Sequence, residues 1–309
     1  ALPSVLSEGL LFYRVDLLRE YAYSAPPNTW QELETMAQRI QAGERAKGDQ
    51  AFWGFVWQGA PSEALTCNAL EWQASEGGGT ILDEQGRVTV SNLQTIRAWD
   101  RAARWVGWIS PPGVIAYREW DAFNVWQAGK AAFMRNWTNA YTAARAPDST
   151  TRDRFDIAPL PKGGAGMAAT IGGNGYGVSR HSLHPQEAAM LVRFLCSRDQ
   201  QLRRGLTVAQ PPTIPELYHD AEVLAQNPYY SRVLEVFSTG IARRPSTAAR
   251  KMYPNVSSAY FEAVHEVLSR KKSAAQSAAD LQDELLRMLK TTAGDPSAGL
   301  AHQPAASSP

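Results

Sequence analysis

Cysteine is nearly missing from this chain: 309 residues hold two, Cys67 and Cys196, and no CxxC pair. Two thiols so far apart give no disulfide framework; one bridge between them stays open, and free buried thiols are the expectation. A surplus of charge of either sign is missing too. Lys plus Arg number 31 and Asp plus Glu 30, which argues against nucleic-acid or membrane-surface binding, since both need concentrated basic charge. No run approaches the ~18 consecutive apolar residues of a membrane-crossing helix. The chain opens on Ala1, Leu2 and Pro3 without a basic stretch and apolar core. No signal peptide is therefore legible; either one was removed or the chain starts inside a longer protein.

Enzyme motifs are scarce. Neither a GxSxG elbow nor a GxxxxGK loop occurs. His181 and His184 are followed by Pro185 with no acidic ligand nearby, and read as a helix-entry loop rather than a metal site. His265-Glu266 lacks the second histidine of a zinc-protease helix. The run Gly172–Gly177 superficially resembles a dinucleotide loop, but its spacing is wrong and a strand, not a helix, is predicted after it. Carboxylate pairs that cleave glycosidic bonds need no fixed spacing and stay open. No catalysis, cofactor or metal is positively indicated.

What the chain does have is tryptophan, and all of it on one side. Its ten Trp lie within the first 137 residues, the last at Trp137. An indole offers a wide apolar face and one N–H, which suits stacking on sugar rings; the competing reading for each ring is simple burial in the core.

The rest of the pattern alternates strands and helices. GLLFYR (Gly9–Arg14) reads as a buried strand, and Thr29 with Glu32 makes a capping box for a helix carrying Trp30, Leu33, Met36, Ala37 and Ile40 and ending at Gly43. Asn92 starts a helix with the stripe Leu93, Ile96, Trp99, Ala103 and Val106. Pro185 opens another, bearing Leu191, Phe194 and Leu195. Tyr260, Val264, Val267 and Leu268 form one more stripe, and Ser273 with Gln276 caps a last helix through Leu281, Leu285, Met288 and Leu289. Short strands are predicted at Phe52–Trp57, Ala131–Met134, Phe155–Pro159 and Tyr176–Ser179. The alternation predicts an α/β fold. Residues 292–309, rich in Ala, Ser, Pro and Gly, are expected to be disordered.

Several blocks then resemble a known family in order along nearly the whole chain. They are GLLFYRVDLLREYAYSAPPNTWQELETMA from Gly9, FVWQGAPSEALTCNALEW from Phe55, and WQAGKAAFMRNW ending at Trp137. FDIAPLPKG, TIGGNGYGVS and RRPS followed by YPNVSSAYFEAVHEVL complete the set. They resemble family 1 extracellular solute-binding proteins, the sugar receptors of ABC importers, most of all the trehalose/maltose-binding kind. The resemblance implies a two-lobed periplasmic-binding-protein fold. It also implies that the usual N-terminal segment is missing, leaving one complete and one truncated lobe. On that reading residues 1–167 and 243–291 build the C-terminal-type lobe and 168–242 the remainder of the other.

The same resemblance implies the site. Trp137 follows the Arg-Asn pair and would stack on a sugar; Trp57 and Tyr141 are further aromatic candidates. Gly172 and Gly173 match paired glycines whose backbone approaches ligand, with Asn174 standing where many relatives carry an aromatic. Glu8 at the lobe crossing and Glu63 in Ser62-Glu63-Ala64-Leu65 are candidate hydroxyl acceptors. Arg244, with Arg243 competing, would clamp hydroxyls or bridge the lobes. The implied partners are a disaccharide such as trehalose or maltose and an ABC permease, without nucleic acid, in the periplasm or at the cell surface. A sugar-phosphate or glycerophosphodiester receptor and, in a different class, a glycoside hydrolase are the alternatives.

Overall fold

The computed structural model describes residues 1–208 and 210–293, which include neither Ala209 nor residues 294–309. Of the tail expected to be disordered from 292 to 309, Thr292 and Ala293 are instead the last residues of a helix, and the rest lies outside the described residues. Strand β1 is Leu2–Arg14, followed by α1 (Val15–Glu20) and α2 (Trp30–Ala46). Next come β2 (Trp53–Val56), α3 (Glu63–Ser75), α4 (Leu93–Trp105), α5 (Glu119–Gln127), β3 (Ala131–Trp137), α6 (Asn139–Ala144) and β4 (Phe155–Ala158). β5 (Ala169–Tyr176), α7 (Pro185–Leu195), α8 (Arg198–Val208), α9 (Ala221–Gln226), α10 (Tyr230–Thr239) and β6 (Ile241–Ala242) follow. α11 (Ser246–Ala249), α12 (Tyr253–Leu268) and α13 (Ala274–Ala293) close the chain.

The sheet order is β2-β3-β1-β5-β6, with β4 also on β1. Its organising element is β1, longer than its apolar core predicts. The second half, Gly9–Arg14, lies between antiparallel β3 and β4. Leu10, Leu11 and Phe12 there are wholly buried, as expected of a run with apolar residues on both faces. The first half, Leu2–Glu8, instead pairs antiparallel with β5. β1 and β5 thus leave the main core side by side.

The capping box forms as predicted: Glu32 N–H donates to Thr29 Oγ1 at 3.1 Å, and Thr29 N–H to Glu32 Oε2 at 3.3 Å. Gly43 does not end α2, which runs on to Ala46; the absent side chain there leaves room for Tyr21, whose hydroxyl a Cβ would meet at 2.1 Å. On α4 the buried face is Thr95, Ala98, Trp99, Ala102 and Trp105, and Leu93 is exposed, so the predicted stripe was rotated from the true one. The strand predicted at Tyr176–Ser179 lies earlier: the glycine run is itself β5. α7 forms where expected, yet none of its residues is buried.

Most of the tryptophan is core. Trp30, Trp57, Trp72 and Trp105 form a cluster with centroids 5.0–5.6 Å apart between successive neighbours; Trp72 meets Trp57 and Trp105 edge to face, and Trp30 lies tilted on Trp105. Three of their indole N–H groups are satisfied, by Ser75, Ser110 and Glu34. Buried rings with matched donors are scaffold. α12 and α13 pack over α3 and α4, and Tyr260, Val264, Val267 and Leu268 are buried as their stripe predicts.

Candidate functional site

Where β1 and β5 diverge from the main core, they floor a cavity of 550 Å³. Ser7, Trp137, Gly172, Gly173 and Asn174 line it from the sheet, and Glu63, Glu119 and Arg244 from flanking segments. The two strands run in close register there, Leu6 opposite Gly173 and Ser7 opposite Gly172. Gly173 has φ +127°, and a Cβ on it would meet the Val5 carbonyl oxygen at 2.3 Å. Only glycine fits that approach. At Gly172 a Cβ would stand 3.3 Å from Trp137 Cζ3, so the absent side chain leaves the indole edge its place.

Trp137 is the flat element of the site. Its ring carries the Arg135 guanidinium 4.0 Å from the centroid. Trp137 lines the cavity, and Arg135 behind it does not. Beside it, Thr138 donates its hydroxyl to Ser7 Oγ at 2.9 Å, joining β3's end to β1.

Glu63 and Arg244 are brought together from opposite ends of the chain. Arg244 Nη1 donates to Glu63 Oε1 at 2.7 Å and Nη2 to the Ile171 carbonyl at 2.9 Å. Tyr253 and Ser257 also donate their hydroxyls to Glu63. α3, α5 and α6 all begin at the cavity, with Glu63, Glu119 and Asn139 as their first residues. Partial positive charge at these helix ends favours acceptor groups; on α3 and α5 it is already met by their own glutamates. Arg244 is the sole cation among the described lining residues. Cys67 also lines the cavity; burial pushes its thiol up to about 11, so it stays protonated. A larger hollow of 1050 Å³, bordered by Ala74 and by residues within 77–89 and 241–250, shares Arg244 with the first and has no aromatic among the described residues of its wall.

Six of the nine sequence candidates therefore line one cavity: Glu63, Trp137, Gly172, Gly173, Asn174 and Arg244. Three lie elsewhere. Trp57 is fully buried in the tryptophan cluster, its N–H on Ser110. Tyr141 packs on Tyr229, centroids 4.0 Å apart, and on Phe155. Glu8 is 0% exposed, and neither carboxylate oxygen has a hydrogen-bond partner among the described residues. Strand alternation explains it: Ser7 faces the cavity and the next residue points to the opposite side. Burial drives the Glu8 carboxyl well above the usual carboxylate range. Arg243 is exposed and sits near Glu84.

Sequence reasoning missed Ser7, Cys67, Glu119, Thr138, Asn139 and Gln210, all in the wall. Thr138 and Asn139 follow Trp137 directly and could have been read with it. Gln210 and Pro211 arrive through tertiary pairing, Leu6 N–H donating to the Pro211 carbonyl at 3.1 Å, which no local pattern announces.

The model of the bacterial extracellular solute-binding protein family matches residues 1–229. The chain belongs to that family. These are solute-binding proteins of ABC transporters, not enzymes. A probable ABC transporter-binding protein of Deinococcus radiodurans is 43% identical over 289 residues, 93% of this chain and 68% of the relative. A probable amino-acid ABC transporter periplasmic-binding protein of Sinorhizobium fredii is 24% identical over 84% of this chain and 57% of its own length. The chain thus spans 57–68% of the length of these curated relatives. Among solved structures, maltose-bound MalE3 of T. maritima superposes with a TM-score of 0.85 at 35% identity, covering 93% of this chain and 72% of that one. A ribitol complex from Agrobacterium radiobacter, at 20% identity and a TM-score of 0.80, shares the fold over 93% of this chain and 70% of its own. The architecture is that of the two-lobed periplasmic solute-binding proteins.

Proposed function

We propose that this chain is the sugar-binding component of an ABC importer, taking a disaccharide such as maltose or trehalose in the cavity on Trp137. Residues 1–167 and 243–291 would form one lobe and 168–242 part of the other, with the closed form docking on a permease at the outer face of the membrane. The observation that carries the reading is the Trp137 ring, backed by the Arg135 guanidinium and lining a polar cavity. A sugar needs that combination: an apolar face for its C–H side and mixed donors and acceptors for its hydroxyls. Ser7, Thr138, Asn139, Asn174 and Gln210 supply neutral polar groups, and the Glu63 carboxylate a stronger acceptor. The maltose complex of T. maritima MalE3 supports the choice of sugar class. A phosphate ligand is less well served, because Arg244 is already neutralised by Glu63.

The test is calorimetric titration with maltose, trehalose and sucrose. Saturable binding of one of them is expected, and Trp137→Ala should weaken it by about 1–3 kcal/mol with an unchanged circular dichroism spectrum. A folded Trp137→Ala protein of equal affinity would remove Trp137 from the site.

A further inference from the structure

Directly beneath the cavity floor lies a buried ion pair that sugar contact does not use. Arg135 and Glu71 are 1% and 0% exposed at their side chains. Arg135 Nε donates to Glu71 Oε2 at 2.9 Å and Nη2 to Glu71 Oε1 at 2.5 Å, while Nη1 donates to Gln58 Oε1 at 3.1 Å. Glu71 Oε1 also accepts from the Thr170 N–H at 3.0 Å and from its hydroxyl at 2.5 Å. The chain makes room for this arrangement: a Cβ on Gly9 would fall 2.3 Å from Glu71 Oε1 and 2.7 Å from Arg135 Nη2. Gly9 in turn pairs with Trp137 in the β1–β3 register.

A buried ion pair is a poor means of stabilising a core, since well-packed apolar residues of similar size do as well or better. What this pair does that an apolar pair would not is fix the plane of a guanidinium at two points. The indole of Trp137 lies against that guanidinium, 4.0 Å from ring centroid to Cζ. Glu71 belongs to α3, Arg135 to β3 and Thr170 to β5, so the pair references the ring to three elements at once. We propose that Arg135, locked by Glu71, is the positioning residue that sets the plane of Trp137 and makes the ring a rigid stacking surface in the cavity wall. As far as ligand is concerned, this rests on the reading of Trp137 as the sugar platform. The orientation of the ring does not depend on that reading.

Arg135→Ala would strand the Glu71 carboxylate and is expected to misfold. The informative variants are Arg135→Lys, which keeps the charge without the two-point lock, and the pair Glu71→Gln with Arg135→Met, which leaves an acceptor for Thr170. The 309-residue chain is labelled with 5-fluorotryptophan, and the Trp137 fluorine resonance is assigned by its loss in Trp137→Phe. The parent should give one sharp Trp137 resonance; in both variants it should move and broaden. An unmoved, equally sharp line in folded Arg135→Lys or in the folded double variant overturns the proposal, with or without sugar. With maltose as the probe, the double variant should bind about tenfold more weakly, and adding Trp137→Ala should then cost less than it does in the parent. An undiminished Trp137→Ala penalty overturns the positioning role. If the parent takes up none of maltose, trehalose and sucrose, the sugar reading fails while the fluorine spectra still decide the orientation of the ring.

Discussion

Arg244 and Glu63 lie 181 residues apart in the chain and 2.7 Å apart in the fold. Both were candidates for direct contact with sugar, and they hold each other at the cavity wall. Arg244 spends its second terminal nitrogen on the Ile171 carbonyl of β5, one residue before the paired glycines. The pair therefore ties the start of α3 to the strand that floors the site.

Arg244→Met should test what that link contributes. Glu63 keeps its Tyr253 and Ser257 donors, and the two side chains are 29% and 45% exposed. The stability loss should stay within about 1 kcal/mol by thermal denaturation. Affinity for maltose should fall about tenfold, as expected for losing one charged hydrogen-bonding group. A variant that binds unchanged would make the pair purely a brace.

The two adjacent glycines should behave differently. Gly173→Ala forces an L side chain onto φ +127° and into the Val5 carbonyl, and should cost about 2–3 kcal/mol in chemical denaturation. Gly172→Ala meets the Trp137 ring edge at 3.3 Å and, at an ordinary contact distance of 3.7 Å, the Ser7 carbonyl oxygen. It should fold with a loss of about 1 kcal/mol or less while displacing the ring and weakening sugar binding. Equal stability losses at both positions would contradict the geometry.

Glu8 predicts a pH dependence. Its carboxyl is raised by burial, so the native state holds a proton that the unfolded chain releases. Stability is then fully present below the ordinary glutamate range and falls as pH rises through the raised native value. Tyr218 and Tyr230, within its electrostatic reach, are themselves pushed upward by burial and stay neutral across that window. Glu8→Gln should be more stable than the parent by about 1–3 kcal/mol at pH 8 and indistinguishable at pH 4. A parent with the same melting temperature as Glu8→Gln at both values would show that the site accommodates the charge.

α7 presents Met190, Leu191 and Phe194 at 64%, 56% and 57% exposure, beside Leu183 at 89%. An uncovered apolar patch of this kind drives association. The 309-residue chain should sediment as concentration-dependent oligomers, and Leu191→Glu with Phe194→Glu should shift it toward monomer. A monodisperse parent would show that this face is tolerated by water.

Local chemistry settled much of this protein in advance. The Thr29 box, the Asn92 cap and the α12 stripe follow from hydrogen-bonding and periodicity rules acting within a few residues. So does the α/β alternation, and the ordered sequence blocks pointed to the family. The resemblance carried part of the site, because Trp137 and the paired glycines lie in the blocks that match the family. What sequence could not decide was which face looks where. Glu8 and Ser7 are neighbours, and only the pairing of β1 with β5 buries one and opens the other to the cavity. Trp57 and Trp137 are the same residue type, and their environments alone make one scaffold and the other platform. The Arg135–Glu71 and Arg244–Glu63 pairs join residues 64 and 181 positions apart. Such contacts depend on how helices and strands pack across the whole chain, and no local periodicity encodes that distance.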